Sequence, residues 1–358
     1  MPKHLFTRRR LLKGAAAAAL AASAPAGAPK VLAQAPPPEG VTPALVAAAT
    51  KEGKVAFYTA MDLPVAERFA KTFEQKYPGI AVRVERSGSE RIYQRIEQER
   101  GSNILAADLV NSADAAHFIA WKRKDWLAAY VPEDVARYFP AAFRDAEGMY
   151  ATTRIWLSSL GYNTTLVKAE DAPRSFADLL DPKWAGKMIK AHPAYSGTIM
   201  TATFQIVREL GWEYLERLSR QKVMQVQSST DPPKRVASGE RAVMADGNDY
   251  NLIQLKERGA PVEVVYPAEG TPIVTGPTAV FKGAPNPNAA RLFQSWLHSR
   301  DAQQLLVDFA AQHSVHTLVE TKPGRRKLSD IKLMKDDPAG VEKAAEEIKA
   351  RYTQIFRV

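Results

Sequence analysis

The chain has no cysteine in 358 residues. That absence removes disulfides, thiolate metal sites, cysteine nucleophiles and iron–sulfur clusters together. It also removes the lipid-bearing cysteine that tethers exported proteins of single-membrane bacteria, so a freely diffusing protein held by an outer membrane is expected. Long apolar runs are missing as well. The one apolar stretch, Gly14 to Ala28, is Ala-rich and spans about 15 residues, short of the roughly 20 that a membrane-spanning helix needs. No Gly-x-Ser-x-Gly elbow, Walker loop or His-Glu-x-x-His zinc helix occurs, and His192, His313 and His316 have no metal-ligand spacing completed by a third ligand. With no catalytic constellation, a binding protein is expected rather than an enzyme.

What is present begins with an address. Lys3, Arg8, Arg9, Arg10 and Lys13 form a basic region, small apolar residues follow, and Val31-Leu32-Ala33 or Ala33-Gln34-Ala35 offers a cleavage site before Pro36-Pro37-Pro38. The core Thr7-Arg8-Arg9-Arg10-Leu11-Leu12-Lys13 resembles a twin-arginine export signal, which implies the twin-arginine translocase as a transient partner and the periplasm as destination. Residues 1–35 carry six basic side chains and no acid, more than half of the net charge of +10. The basic balance is therefore largely address label, and no nucleic-acid partner is expected.

Residues 36–50 read as a linker and first helix. From Val55-Ala56-Phe57-Tyr58 onward the pattern alternates: a strand, a helix with Val65, Phe69, Phe73 and Tyr77 four apart, a strand through Ile80, Val82 and Val84, a helix at Ile92 and Ile96, and a strand at Ala107–Val110. A second run restarts past Tyr162, with a strand at 187–190, a helix from Thr198 to Leu210 closed by Gly211, a strand at 223–226, a helical turn at 233–237 and a strand at 242–245. An extended run from Thr271 to Phe281 and helices at 289–297 and 302–309 carry the chain back to the first unit. The expected class is α/β, with ligand beyond the carboxyl ends of the strands, in a cleft between two lobes.

The segment Ser175-Phe176-Ala177-Asp178-Leu179-Leu180-Asp181-Pro182-Lys183-Trp184-Ala185-Gly186-Lys187 is similar to periplasmic binding proteins of the ferric-iron-type ABC transporter family. So are Tyr58-Thr59-Ala60, the small-polar turn after Val110, Gly161-Tyr162-Asn163, Ser196-Gly197-Thr198, Ser238-Gly239-Glu240, Pro267-Ala268-Glu269-Gly270-Thr271 and Pro287-Asn288-Ala289-Ala290. The resemblance covers residues 50 to 320 and implies a two-lobed type 2 periplasmic-binding-protein fold, each lobe a mixed sheet flanked by helices, joined by a two-strand hinge. Lobe one is expected over 41–155 plus 280–320, lobe two over 163–272, and a C-terminal helical segment over 321–358. The resemblance also implies a small-molecule ligand, delivery to an inner-membrane ABC permease with its ATPase, and action as a monomer. A periplasmic sensor subunit, or an enzyme on the same fold, is the other reading of such a chain.

Ferric members of that family hold the metal with an adjacent Tyr pair, a His or acid of the first loop, and an anion-holding arginine before the hinge. Here Tyr250 alone matches the pair, beside Asp249; Asp62 stands in the first loop, Asp114 lies near the place of an acid, and Trp156 and Ser158 precede the hinge with Arg154 further back. Turns at Ser87-Gly88-Ser89, Ser196-Gly197-Thr198 and Ser228-Ser229-Thr230 stand where helices begin, so free backbone N–H groups and hydroxyls there serve either as caps or as an anion cradle. The candidate ligand-binding set is Thr59, Asp62, Ser87, Ser89, Ser112, Asp114, Ser196, Gly197, Thr198, Asp249 and Tyr250. It suits a small anion or zwitterion with no cofactor; the alternative is ferric ion as cargo on Asp62, Asp249 and Tyr250. Tyr58 and Trp156 border the same loops, whereas Trp121, Trp126, Trp184, Trp212 and Trp296 fall in helix-like segments and read as packing.

Overall fold

Short apolar strands and amphipathic helices alternate, so most elements form where periodicity places them. A computed structural model describes residues 34–358, one compact unit; the leader expected over 1–35 lies, but for its last two residues, outside the described residues. α1 (Pro43–Glu52) begins where the Thr42 hydroxyl accepts from the Leu45 amide and ends at Gly53, whose φ of 73° suits a glycine stop. β1 (Lys54–Thr59), α2 (Leu63–Lys76), β2 (Ala81–Arg86), α3 (Ser89–Gly101) and β3 (Leu109–Asn111) follow. α2 buries Val65, Phe69 and Phe73, and β1 pairs in parallel with both β2 and β3.

α4 (Ala116–Arg123) and α5 (Glu133–Tyr138) lead to β4 (Ala151–Asn163), buried along all thirteen residues. The second run is β5 (Met188–Ala191), α6 (Gly197–Ser219), β6 (Met224–Val226), α7 (Asp231–Ala237), β7 (Val243–Asn248), α8 (Asp249–Glu257) and β8 (Val262–Val265). β9 (Ile273–Val280), α9 (Pro287–Leu297), α10 (Arg300–Ala310) and α11 (Pro338–Phe356) complete it. Gly211 closes the helix from Thr198 as expected, with φ 76° and ψ 165°, and a second helix follows within α6 to Ser219.

The strands form one curled mixed sheet in the order β2-β1-β3-β9-β4-β7-β5-β6, with β8 also on β4. β4 is its spine. Residues from Ala151 to Leu157 pair antiparallel with β9, while Leu160 to Asn163 pair with β8 and Ser158 to Tyr162 with β7. One half of the sheet rests on a core around Phe57, Phe69, Phe73, Phe293 and Trp296, the other on a core around Phe176, Trp184, Met188, Tyr214 and Leu215. This is the two-lobed α/β fold, each lobe built on its own core and the two joined through β4 and β9. α11 packs on α4 of one lobe and α6 of the other.

Candidate functional site

Two parallel triplets, β1 to β3 on one flank of β4 and β5 to β7 on the other, run in opposite directions, and the segments leaving their carboxyl ends converge. Asp62 follows β1, Arg86 ends β2, Ala113 follows β3, Ser196 and Thr198 open α6 after β5, Gln227 to Asp231 follow β6, and Asn248 and Tyr250 follow β7; together they line a cavity of about 170 Å³. This is the carboxyl-end crevice where open α/β sheets bind ligands.

Three arginines face this space: Arg86, Arg91 and Arg154. Arg154 is 1% exposed, a cation carried on the sheet itself. Its Nε donates to Asn111 Oδ1 at 3.0 Å and its guanidinium carbon lies 4.5 Å from the Trp156 ring centroid. Its Nη2 has no hydrogen-bond partner among the described residues. Gly276 makes the placement possible, because a Cβ there would come within 2.9 Å of Arg154 Cγ and of Trp156 Cζ3. Burial pushes the Arg154 guanidinium below its ordinary value, against the pull of Tyr250 and Asp62. Arg91 reaches across to Gln227, its Nη2 donating to Oε1 at 2.7 Å.

The acids expected in the site divide. Asp62 is in it, accepting from the Tyr250 hydroxyl at 3.2 Å and from Asn251 Nδ2 at 2.8 Å, bonds that join the loop after β1 to α8. Burial and then the Asp62 charge push the Tyr250 phenol well above its ordinary value, so it is a neutral donor. Asp249 is elsewhere: fully buried, its Oδ1 accepts from the Leu157 and Tyr250 amides and its Oδ2 from the Tyr266 hydroxyl. Asp62, Asp249 and Tyr250 therefore do not converge as a ligand set. Both open α8, where consecutive side chains lie about 100° apart around the axis, so the two neighbours face different ways.

Of the hydroxyl-bearing turns, Ser89, Ser196 and Thr198 line the cavity, as do Ser228, Ser229 and Thr230. Ser196 also caps α6, its hydroxyl accepting from the Ile199 amide. Thr59, Ser87 and Ser112 stand outside: the Thr59 hydroxyl accepts from the Met61 amide, Ser87 follows β2 without lining the cavity, and Ser112 meets the His117 ring. Gly197 makes room for protein rather than ligand, since a Cβ there would lie 2.7 Å from Asp114 Cβ and 3.0 Å from Ser89 Cβ. Trp156 lines the cavity; Tyr58 does not, and its hydroxyl donates to Glu99.

Among the described residues, one group gathers metal-type ligand atoms within 4.8 Å of one another: Glu90, Asp114 and His117. None of them lines the cavity. His117 Nε2 lies 3.1 Å from Glu90 Oε1, and the Lys349 ammonium of α11 is 3.1 Å from Glu90 Oε2. The group is a charge-balanced tie between α3, α4 and α11. Burial alone would lower the His117 imidazolium, but Asp114 and Glu90 overcome it and raise its pKa.

The comparisons with known proteins agree with this fold. Residues 54–309 match the family of bacterial extracellular solute-binding proteins. A probable ABC transporter periplasmic-binding protein, y4fP of Sinorhizobium fredii, is 25% identical over 272 residues, 73% of this chain and 74% of that protein. The periplasmic binding protein AfuA of Actinobacillus pleuropneumoniae, solved with exogenous fructose-6-phosphate bound, superposes with a TM-score of 0.78 at 25% identity over 86% of this chain and 99% of its own. Iron-bound HitA of Pseudomonas aeruginosa superposes with a TM-score of 0.73 at 21% identity, over 84% of this chain and 99% of its own, a likeness of fold.

Proposed function

The chain belongs to the bacterial extracellular solute-binding protein family, and we propose that it captures a small phosphorylated or otherwise anionic solute for an ABC importer. In this reading the protein acts in the periplasm as a monomer, exported by the twin-arginine translocase. It hands its cargo unaltered to an inner-membrane permease driven by an ATPase. The relative named as an ABC periplasmic-binding protein supports the importer. The lobes are taken as 41–155 plus 280–320 and 163–272, closing on the solute by hinge motion.

The observation that carries the choice of cargo is Arg154. A buried guanidinium with an unpartnered N–H, lining a cavity beside two further arginines, is costly unless an anion completes it. Hydroxyls of Ser89, Thr198, Ser228 and Thr230 and the start of α6 supply neutral donors to the same anion. A ferric ion would find the Asp62 and Asp231 carboxylates here but would also meet three cations, and it would have to displace the proton of a buried phenol. AfuA, with its sugar phosphate, supports the same class.

Calorimetric titration of metal-free protein with fructose 6-phosphate, other phosphate esters, carboxylates and ferric citrate tests this, together with mass spectrometry of solute released from gently purified protein. Binding of a phosphate ester is expected. Tight ferric binding with a tyrosinate-to-iron colour that Tyr250→Phe abolishes would establish the iron reading instead.

A further inference from the structure

The cavity described above is about 170 Å³, smaller than the roughly 300–1,000 Å³ of pockets that enclose a whole small molecule. A second chamber of about 350 Å³ adjoins it, and Asp62, Arg86 and Thr230 line both. The outer chamber is different in kind. Leu63, Leu255 and Phe309 give it apolar walls, and Lys234 of α7 and Arg258 after α8 bring two more cations to it. Among the described residues neither Lys234 nor Arg258 enters an ion pair, although neighbours on the same helices, Arg235 and Lys256, both do. Arg86 stands between the chambers, and among the described residues its side chain makes one hydrogen bond, a long one from Nε to the Met61 carbonyl at 3.4 Å. Cationic charge thus runs from Arg154 past Arg86 to Lys234 and Arg258, along a path too large for one phosphate.

We propose that the two chambers are one site for a two-headed anion. The first phosphate sits in the inner chamber on Arg154, the body crosses Arg86 over the apolar wall, and a second phosphate or carboxylate meets Lys234 and Arg258. This rests on the reading of the inner chamber as an anion site, and it narrows the cargo from phosphate esters to esters bearing a second anionic group. The apolar wall fits the C–H face of a sugar or short carbon chain, whose hydroxyls point to solvent or to Thr230.

Matched probes that differ by one anion separate the two readings: fructose 6-phosphate against fructose 1,6-bisphosphate, and glycerol 3-phosphate against 3-phosphoglycerate, titrated calorimetrically into the full mature chain. Because Lys234 and Arg258 are exposed, Lys234→Gln and Arg258→Gln are expected to fold as the parent does. The two-headed member of at least one pair is expected to bind tighter by about tenfold, the scale of one charge-assisted hydrogen bond. Each substitution should remove most of that gain while leaving the one-headed member within about twofold. Equal or weaker binding of both two-headed probes, with a one-headed probe binding normally, overturns this inference and leaves the phosphate-ester reading standing. A gain that survives both substitutions also overturns it. If no member of either pair binds, the reading of the inner chamber falls and this inference falls with it.

Discussion

Replacing Arg154 by Met tests the carrying observation most directly, because the substitution should act with opposite signs on folding and on binding. Met has similar reach and fills the space beside Trp156 that Gly276 leaves open. The fold loses the charge-assisted bond from Nε to Asn111, worth about 1.5–3 kcal/mol, and is relieved of a buried N–H with no partner, worth about 1–3 kcal/mol. These offset, so the melting temperature without ligand should stay within about 3 °C of the parent. Binding has no such offset. Loss of a charge-assisted hydrogen bond costs about 1.5–3 kcal/mol, so the Kd for fructose 6-phosphate should rise roughly ten- to a hundredfold in calorimetry. Arg154→Lys, which keeps the charge but not the fork, should fall between the two. An Arg154→Met protein that binds within about twofold of the parent refutes the reasoning. So does one that loses binding only together with a fall of more than about 10 °C in melting temperature, which makes the arginine a support of the fold.

Gly197→Ala should leave the separated lobes intact, even favoured by helix propensity, but its Cβ would press on Asp114 and Ser89; X-ray scattering should show less compaction at saturating ligand and weaker binding, and full compaction speaks against the hinge. Burial raises the Asp336 carboxyl to about 6. The folded chain then keeps a proton that the unfolded chain gives up, and stability falls as pH rises from about 4 to about 6 and is flat above. Asp336→Asn should abolish that fall and stabilise the neutral protein by about 3 kcal/mol; melting curves whose slope across this window is unchanged would reject it. Arg8→Lys with Arg9→Lys should hold precursor in the cytoplasm on fractionation, and undiminished export would rule out the twin-arginine pathway.

The first lobe was legible because its elements obey simple periods. Val65, Phe69 and Phe73 lie four apart and are buried on one face of α2, and β3 is a short apolar run beside β1. β4 was legible only as a crossing at its far end. It is buried on both faces while carrying Thr153, Arg154, Ser158 and Ser159, so neither alternation nor a pure apolar run marks it. The turns that line the cavity could be picked because hydroxyl and glycine residues cluster at helix starts. Which of them face inward could not: Ser89 does and Ser87 does not. Arg86 and Arg91 were missed since an arginine in a charged stretch reads as a solvated face. The available signal was position, for Arg86 ends an alternating strand just before a Ser-Gly-Ser turn, the carboxyl end at which this fold binds ligands.

Asp62 is, with Asp231, one of two acids lining a cavity proposed to hold an anion, and the reason Asp62 is tolerated can be read from its bonds. It accepts from the Tyr250 hydroxyl and from Asn251, both on α8, while its own backbone leads into α2. Those bonds span the two lobes, and under the proposed hinge motion they form only in the closed state, so in that reading Asp62 stabilises the closed form while its charge opposes an anion beside Arg86. The two effects predict opposite signs for Asp62→Ala. Relief of repulsion alone would tighten a phosphate ester by a few-fold at most, since charges near a protein surface interact weakly through solvent. Loss of two bonds to a carboxylate, at about 1.5 kcal/mol or more each, would weaken it by tenfold or more. The latch is the larger effect, and Asp62→Ala is expected to raise the Kd and to leave scattering curves at partial saturation more open than those of the parent. A tighter Kd in calorimetry would mean that closure does not depend on Asp62 and that its carboxylate serves a cationic group of the cargo instead.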